Sequence, residues 1–268
     1  MLQGGVDAFN IEIVSIGNEL CYGKVADTNA FWLADRVTSI GGMVSRITCV
    51  RDDEEEICKV LGESLNRKPR FVLVTGGLGP TKDDLTIDAL SRLTHSKIVT
   101  DEVTLEKVSE RKGIPIEKLP QHFFRMARTV SDAETFVNPL GISPGIVFRM
   151  DESTLVVMPG PPKEVQAIFE KYVAGIIGKE TSRRSCSRRV VVDMVESEVS
   201  PLIEEVEKEL VDVYLKPLAS EYVPGAGLPV ELVAFGEDEE ACSRLAEEAI
   251  LCLKRLVETK GREIVKST

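Results

Sequence analysis

Four short turns hold the residue types that could do chemistry. Gly17-Asn18-Glu19, Asp52-Asp53, Gly76-Gly77-Leu78-Gly79 and Pro159-Gly160-Pro161-Pro162 each follow an apolar run. The third belongs to "VTGGLGPTKDDLT" (74–86), which passes through three glycines into two adjacent aspartates, Asp83 and Asp84. Glycine lacks a Cβ, so an anion can approach the backbone, and a helix expected from about Thr81 to Leu93 would aim its free N–H groups there. The aspartates oppose this. A helix N-terminus favours an anion by ~0.3–2 kcal/mol, whereas a carboxylate ~4 Å from a phosphate oxygen costs ~4 kcal/mol at an effective dielectric of ~20. Either the carboxylates turn away, or a divalent cation bridges them to phosphate oxygens. The cation is preferred: held by Asp84, with Asp83 or Asp52 nearby, it would polarise a phosphoryl oxygen and lower the pKa of an attacking water. The expected chemistry is metal-assisted reaction at a phosphate or pyrophosphate, with Mg, Mn or Co as the metal.

Common phosphate motifs do not fit. A dinucleotide fingerprint from Gly77 needs glycine where Lys82 stands. A Walker-type loop from Gly17 needs Gly-Lys-Ser/Thr from position 22, where Tyr22-Gly23-Lys24-Val25 stands. For Thr81 taken alone the plainer reading is a capping box, T-x-x-D with Asp84, which leaves Asp83 and the glycines unexplained. Lys82 and Lys163 could neutralise phosphate, although lysines in a first helical turn are commonly just solvated. Asp27-Thr28-Asn29 reads first as a helix cap and second as a ligand contact. Pro159 to Pro162 rigidify entry to a helix, and His95 and His122 are isolated.

The elements that must position these turns alternate strand-like and amphipathic segments, the pattern of an α/β sheet with helices on both faces. Strands are expected at 11–17, 43–50 and 70–77. A helix capped by Asp27 or Thr28 carries Ala30, Leu33, Ala34, Val37 and Ile40 and stops at Gly41; another starts in "DDEEE". Helices at 102–112 and 116–129, three further strands in "ETFVNP", "GIVFRM" and "TLVVMPG", and a helix over 163–178 complete a first domain, 8–178. If the strands before the four turns are parallel, all four lie at their carboxyl ends, where open α/β sheets bind ligands. Polar, aperiodic "KETSRRSCSRR" (179–189) marks a boundary. A second, smaller α+β domain, 188–268, reads as β-α-β-β-α, with its first helix capped at Ser200 and Pro201 in the first turn.

Composition bounds the partners. The 268 residues, 43% hydrophobic, suffice for two cores, and a net charge of −11 argues against nucleic acid or an anionic membrane as partner. Residues 188–268 hold 10 Lys and Arg against 18 Asp and Glu, so even a KH-like shape there would repel phosphate chains. Six cysteines show no zinc spacing and read as free thiols in a reducing cytosol. No basic and apolar leader and no run of ~18 apolar residues occurs, so a cytoplasmic, soluble protein is expected.

"IVSIGNELCYGKVADTNA" (13–30), "VRDDEEEI" (50–57), "GGLGPTKDDLT" (76–86), "NPLGISPG" (138–145) and "MPGPPKE" (158–164), in this order, resemble the N-terminal part of the CinA family. That family falls in the group of molybdopterin-binding domains shared with MoaB, Mog and MoeA. The resemblance covers about 10–178 and implies a three-layer α/β/α domain with a small attached domain. It implies a hydrolase that splits ADP-ribose into AMP and ribose 5-phosphate with a divalent metal. The implied homo-oligomer is a dimer or trimer. A deamidase domain is often fused in that family; this chain ends at Thr268, so deamidase activity is not expected.

Carried over by resemblance, Gly76 to Gly79 form the phosphate cradle, and Asp84 and Asp52 are the acidic pair, catalytic here; the charge repulsion described above puts Asp83 and Asp84 toward metal. Gly17, Asn18, Glu19, Asp27, Asn29, Thr75, Lys82, Asn138, Pro159, Gly160 and Lys163 complete the substrate-binding set. Asn18 departs from the threonine or aspartate often found there. Two alternatives stay open: a molybdopterin or adenylated-molybdopterin handler, with molybdopterin as ligand, and a non-catalytic nucleotide-sensing module.

Overall fold

A strand buried on both faces needs a near-continuous apolar run, and "IEIVSI" is one. In the computed structural model it forms β1 (Asn10–Ile16), buried from Ile11 onward. The structure describes residues 9–150 and 152–267. The expected absence of a leader, the expected domain start at 8 and residue 268 lie outside the described residues.

One compact unit comprises 9–37 and 43–179; the other comprises 38–42 and 180–268. In the larger unit β1 is flanked by β2 (Met43–Val50) and β3 (Phe71–Thr75), in a six-stranded sheet with β6 (Glu134–Phe136), β7 (Gly145–Arg149) and β8 (Thr154–Met158). The order is β2-β1-β3-β8-β7-β6. The first four strands are parallel; β7 runs antiparallel to β8, and β6 antiparallel to β7. Chain direction across the sheet reverses between β1 and β3, the crevice where such sheets take ligands. On one face Val14, Ile16, Val72 and Val74 pack against Ile57 and Leu61 of α3 (Glu54–Asn66) and Leu90 of α4 (Thr86–Thr94). On α2 (Thr28–Ser39) Leu33 and Val37 are buried, and Trp32 meets Phe169 edge-on at 5.5 Å. The three-layer α/β/α reading therefore holds.

Buried charge is paired. Glu12, only 3% exposed on β1, accepts two bonds of 2.7 Å from the Arg67 guanidinium and one of 2.6 Å from Ser64 Oγ. Burial alone would raise its pKa, but the Arg67 and Ser64 bonds and the charges of Arg67 and Arg46 outweigh it and hold the carboxyl below its ordinary value.

Local details depart from expectation. Residues 81–85 are loop, and α4 begins at Thr86, because Asp84 folds its carboxylate back onto the preceding turn instead of starting a helix. The expected 116–129 helix is cut by Pro120 into a 3-10 turn (Ile116–Lys118) and α6 (Gln121–Met126); α5 (Glu102–Lys112) precedes them. Its end becomes β5 (Arg128–Val130), paired antiparallel with β4 (Ile98–Thr100), and three-residue strands carry too little alternation to read. The 163–178 helix is α7 (Pro162–Ile168) and α8 (Ala174–Glu180) joined by a π turn at Phe169–Val173.

The smaller unit is a four-stranded antiparallel sheet, β10-β11-β9-β12, with α9 (Glu196–Glu209) and α10 (Glu239–Thr259). Its strands are β9 (Arg184–Val192), β10 (Val213–Pro217), β11 (Leu228–Gly236) and β12 (Ile264–Ser267). Val190, Val192, Val230 and Leu232 of the sheet share one core with Val199, Ile203, Ala249 and Leu253 of the helices. β12 adds a strand to the expected unit, and β9 begins inside the polar 179–189 stretch. Helix α9 starts before Ser200: that hydroxyl bonds Glu196 O at 2.8 Å, and Pro201 sits inside the helix. Glu196 and Glu198 take the first turn instead, where their charge suits the dipole.

Candidate functional site

The turns after β1, β2, β3 and β8 meet at one mouth, around a cleft of about 690 Å³. The glycine loop there is held by its neighbours. Thr86 Oγ1 donates to Gly76 O (2.9 Å), Thr86 N to Gly77 O (3.3 Å), Ser143 Oγ to Leu78 O (2.6 Å) and Arg125 Nη2 to Asp84 O (3.2 Å). Gly76 has φ +101°, and a Cβ there would lie 2.1 Å from Ile16 O; at Gly77, φ +67°, it would lie 2.1 Å from Thr86 Oγ1. Close approach and a left-handed backbone thus demand glycine at both.

Asp84 answers how an acid sits in an amide cradle. Its Oδ1 accepts from Gly79 N at 2.7 Å, and its Oδ2 from Thr81 N and Thr81 Oγ1, each at 2.7 Å. The loop's own carboxylate occupies the donors of its second half. A Cβ at Gly79 would fall 2.6 Å from Asp84 Oδ2, so glycine there makes room for that carboxylate. The amides of Gly77 and Leu78 have no hydrogen-bond partner among the described residues.

Across the cleft Asp52 Oδ2 accepts from Asn18 N at 2.7 Å. Its pKa is raised, first by burial and then by the negative charges of Glu19, Asp84 and Asp83; the Asn18 bond opposes this without cancelling it. These acids therefore feel one another. Glu164 also lines the cleft but is tied to Asn138 Nδ2 at 2.7 Å, and Lys24 is the one basic residue in the lining among the described residues.

Gly17, Asn18, Glu19, Asp52, Gly76 to Gly79, Asp83, Asp84, Pro159 and Gly160 all line this cleft. The other named residues lie outside its lining. Asp27 Oδ1 caps α2 through Ala30 N at 2.9 Å, and Asn29 Nδ2 donates to Gly160 O at 2.8 Å. Thr75 is buried at the end of β3, while Lys82 and Lys163 are exposed. Asn138 is buried and spends its amide on Ser143 O, Glu164, Leu140 N and Gly141 N, shaping the 138–143 loop. Sequence reasoning missed Tyr22, Lys24 and Ser143. Tyr22 and Lys24 sit in a turn with no motif, and Ser143 reaches Leu78 from 65 residues away.

Whether the donors suit a divalent cation follows from their arrangement. Among the described residues no three metal-ligating side chains converge into a preformed cage. Magnesium is commonly held by one or two carboxylates, with phosphate oxygens and waters completing the octahedron. The exposed Asp83 fits that use, with the free Asp52 Oδ1 in the same cleft left for proton transfer.

A sequence model described as "Probable molybdopterin binding domain" matches residues 12–179. A protein of Pyrobaculum calidifontis is 33% identical over 252 residues, covering 92% of this chain and 95% of the relative. One of Metallosphaera sedula is 31% identical over 261 residues, covering 96% of each. Among solved structures, the protein CinA "with unknown function" from Thermoplasma acidophilum superposes with a TM-score of 0.59 at 28% identity, covering 64% of this chain and 99% of that one. No helix among the described residues is long and apolar enough to cross a membrane.

Proposed function

The chain belongs to the probable molybdopterin-binding domain family and is CinA-like within it; from that premise we propose that it hydrolyses a nucleotide diphosphate with a divalent metal, ADP-ribose going to AMP and ribose 5-phosphate. One observation carries the reading: unpartnered glycine-loop amides line one cleft with a cluster of carboxylates that lacks matching positive charge. A bare diphosphate would be repelled there by several kcal/mol, at ~4 kcal/mol for each contact of ~4 Å at an effective dielectric of ~20. With a bridging cation the same acids become an asset.

In this mechanism Gly77 N and Leu78 N donate to phosphate oxygens, and Lys24 offsets part of their charge. Asp83 would hold Mg, Mn or Co, which when bound would polarise a phosphoryl oxygen and acidify a water. Asp52 Oδ1, the oxygen Asn18 leaves free, takes the proton of the attacking water, and its raised pKa makes it a better base than an ordinary aspartate. Asp84 keeps the loop in shape, so it acts through the loop's amides. Tyr22, 61% exposed in the lining, offers a face to the heterocycle. Incubation with ADP-ribose and each metal, with AMP measured, is the test; no AMP from the wild type under any metal overturns the reading.

A pterin nucleotide would use the same amides and the same tyrosine, and the family description favours keeping it as a second reading. Pterin fluorescence in the purified protein, with no turnover of ADP-ribose, selects it. Stabilisation by nucleotides without turnover of either selects a sensing role.

A further inference from the structure

Cys21 and Cys49 are both exposed, and their sulfurs lie 3.4 Å apart. Cys21 ends α1 (Asn18–Cys21), the turn that begins with Asn18 and Glu19, and Cys49 stands three residues before Asp52 at the end of β2. The two segments are already joined by Gly17 N to Val50 O (3.0 Å) and Asn18 N to Asp52 Oδ2 (2.7 Å). The remaining four cysteines are buried or half-buried, and Cys58, Cys242 and Cys252 spend their sulfurs on Ala89 O, Arg184 O and Glu209.

We propose that Cys21 and Cys49 are a redox-modification site, a dithiol that exchanges with a low-molecular-weight disulfide and closes a covalent link across the rim of the cleft. A disulfide spans about 2.05 Å, so the sulfurs must approach by roughly 1.3 Å, the scale of side-chain rotation and a small shift of a four-residue helix. The chemistry balances without a metal. One protein thiol, as thiolate, attacks the small disulfide and expels one small thiol, leaving a mixed disulfide; the second protein thiolate attacks that sulfur and expels the other small thiol. The protein is oxidised by two electrons, and the small disulfide is reduced to two thiols.

The consequence for the cleft rests on the nucleotide reading above. Tyr22 immediately follows Cys21, and Lys24 N bonds Glu19 O at 2.9 Å. Drawing Cys21 toward β2 moves the end of the turn that carries both lining residues, while the Gly17 N–Val50 O and Asn18 N–Asp52 Oδ2 bonds pin its start and the glycine loop keeps its own anchors. Oxidation therefore weakens nucleotide binding and leaves the turnover of bound substrate nearly unchanged.

The test treats the folded, reduced, full-length protein with oxidised glutathione and maps peptides by mass spectrometry. Expected is a Cys21–Cys49 linked peptide pair and loss of two hydrogens in the intact mass, reversed by dithiothreitol. Cys21→Ser and Cys49→Ser should each stop at a glutathione adduct on the surviving cysteine, whereas Cys186→Ser should link normally. Wild type that ends with separate adducts on both cysteines, or with both thiols free while its circular dichroism stays native, overturns the site. Linkage needs no nucleotide, so a link forming in a protein that binds no nucleotide sinks the function and leaves the modification standing. If nucleotide does bind, a several-fold rise in KM on oxidation is expected; an unchanged KM removes the coupling to the cleft.

Discussion

Replacing Asp84 separates a structural carboxylate from one that acts only by gripping metal. In the structure it accepts three bonds of 2.7 Å, from Gly79 N, Thr81 N and Thr81 Oγ1. A hydrogen bond to a charged acceptor contributes about 1.5–3 kcal/mol when sheltered. The Gly79 bond is partly buried and the two from Thr81 are exposed, where water substitutes readily, so the set sums to about 3 kcal/mol. Relief of repulsion with Asp52 offsets a fraction of this. In metal-free buffer Asp84→Ala should therefore melt roughly 6–12 °C below wild type. Deuterium uptake should rise in peptides spanning 77–86 and stay unchanged elsewhere. Asp84→Asn should fall nearly as far, because its amide nitrogen opposes Thr81 N–H; Thr81→Ala, which loses one exposed bond, should cost less than about 1 kcal/mol. If metal-free Asp84→Ala melts with or above wild type, and only the gain in stability on adding Mg disappears, the loop-anchoring argument is wrong and Asp84 is a cation ligand.

Asp52→Asn should inactivate the protein yet stabilise it. Because the folded-state pKa of Asp52 is raised, wild type loses stability as pH climbs from the ordinary aspartate value of 3.8 through the raised one. Asparagine does not ionise, so the variant should melt higher at about pH 7 and match wild type below about pH 3. Glu12→Gln should cost about 1–3 kcal/mol in urea titration at neutral pH, since buried Glu12 loses its charge-assisted bonds to a partly exposed Arg67. Here the folded pKa is depressed, so the wild-type advantage is present above the ordinary glutamate value of 4.5 and fades as pH falls below it. Gly76→Ala, with its Cβ 2.1 Å from Ile16 O, should destabilise by at least about 3 kcal/mol, whereas Gly113→Ala, also at positive φ but in open space, should lose only about 1–2 kcal/mol by the same titration. Lys24→Ala should raise the KM for ADP-ribose about 3–10-fold with kcat nearly unchanged, as expected of a residue that binds charge without touching the reacting atoms.

Much of the larger unit was legible because its signals are local. Apolar runs long enough to be buried on both faces marked β1, β3 and β8, helical periodicity marked α2 and α3, and a glycine or acidic turn followed each parallel strand. On the expectation that those strands are parallel, chain order then placed Gly17, Asp52, Gly76 and Pro159 at one edge, and the structure pairs the strands so. The CinA-like family was legible for the same reason, since five motifs are local strings in a fixed order.

What the sequence left open depended on where side chains turn. "TKDDLT" reads equally well as the start of a helix and as a loop, and only the folded chain decided that Asp84 points back into the amides of Gly79 and Thr81, delaying α4 to Thr86. Ser143 holding Leu78 O, Asn138 joining the 138–143 loop to Glu164, and the meeting of Cys21 with Cys49 are contacts between residues 26 to 65 apart in the chain. No periodicity reports them. Residue spacing along the chain determined which groups reach the mouth of the sheet; packing of the surrounding elements decided which of them face a ligand and which hold one another, because hydrogen-bond partners are chosen by distance in space.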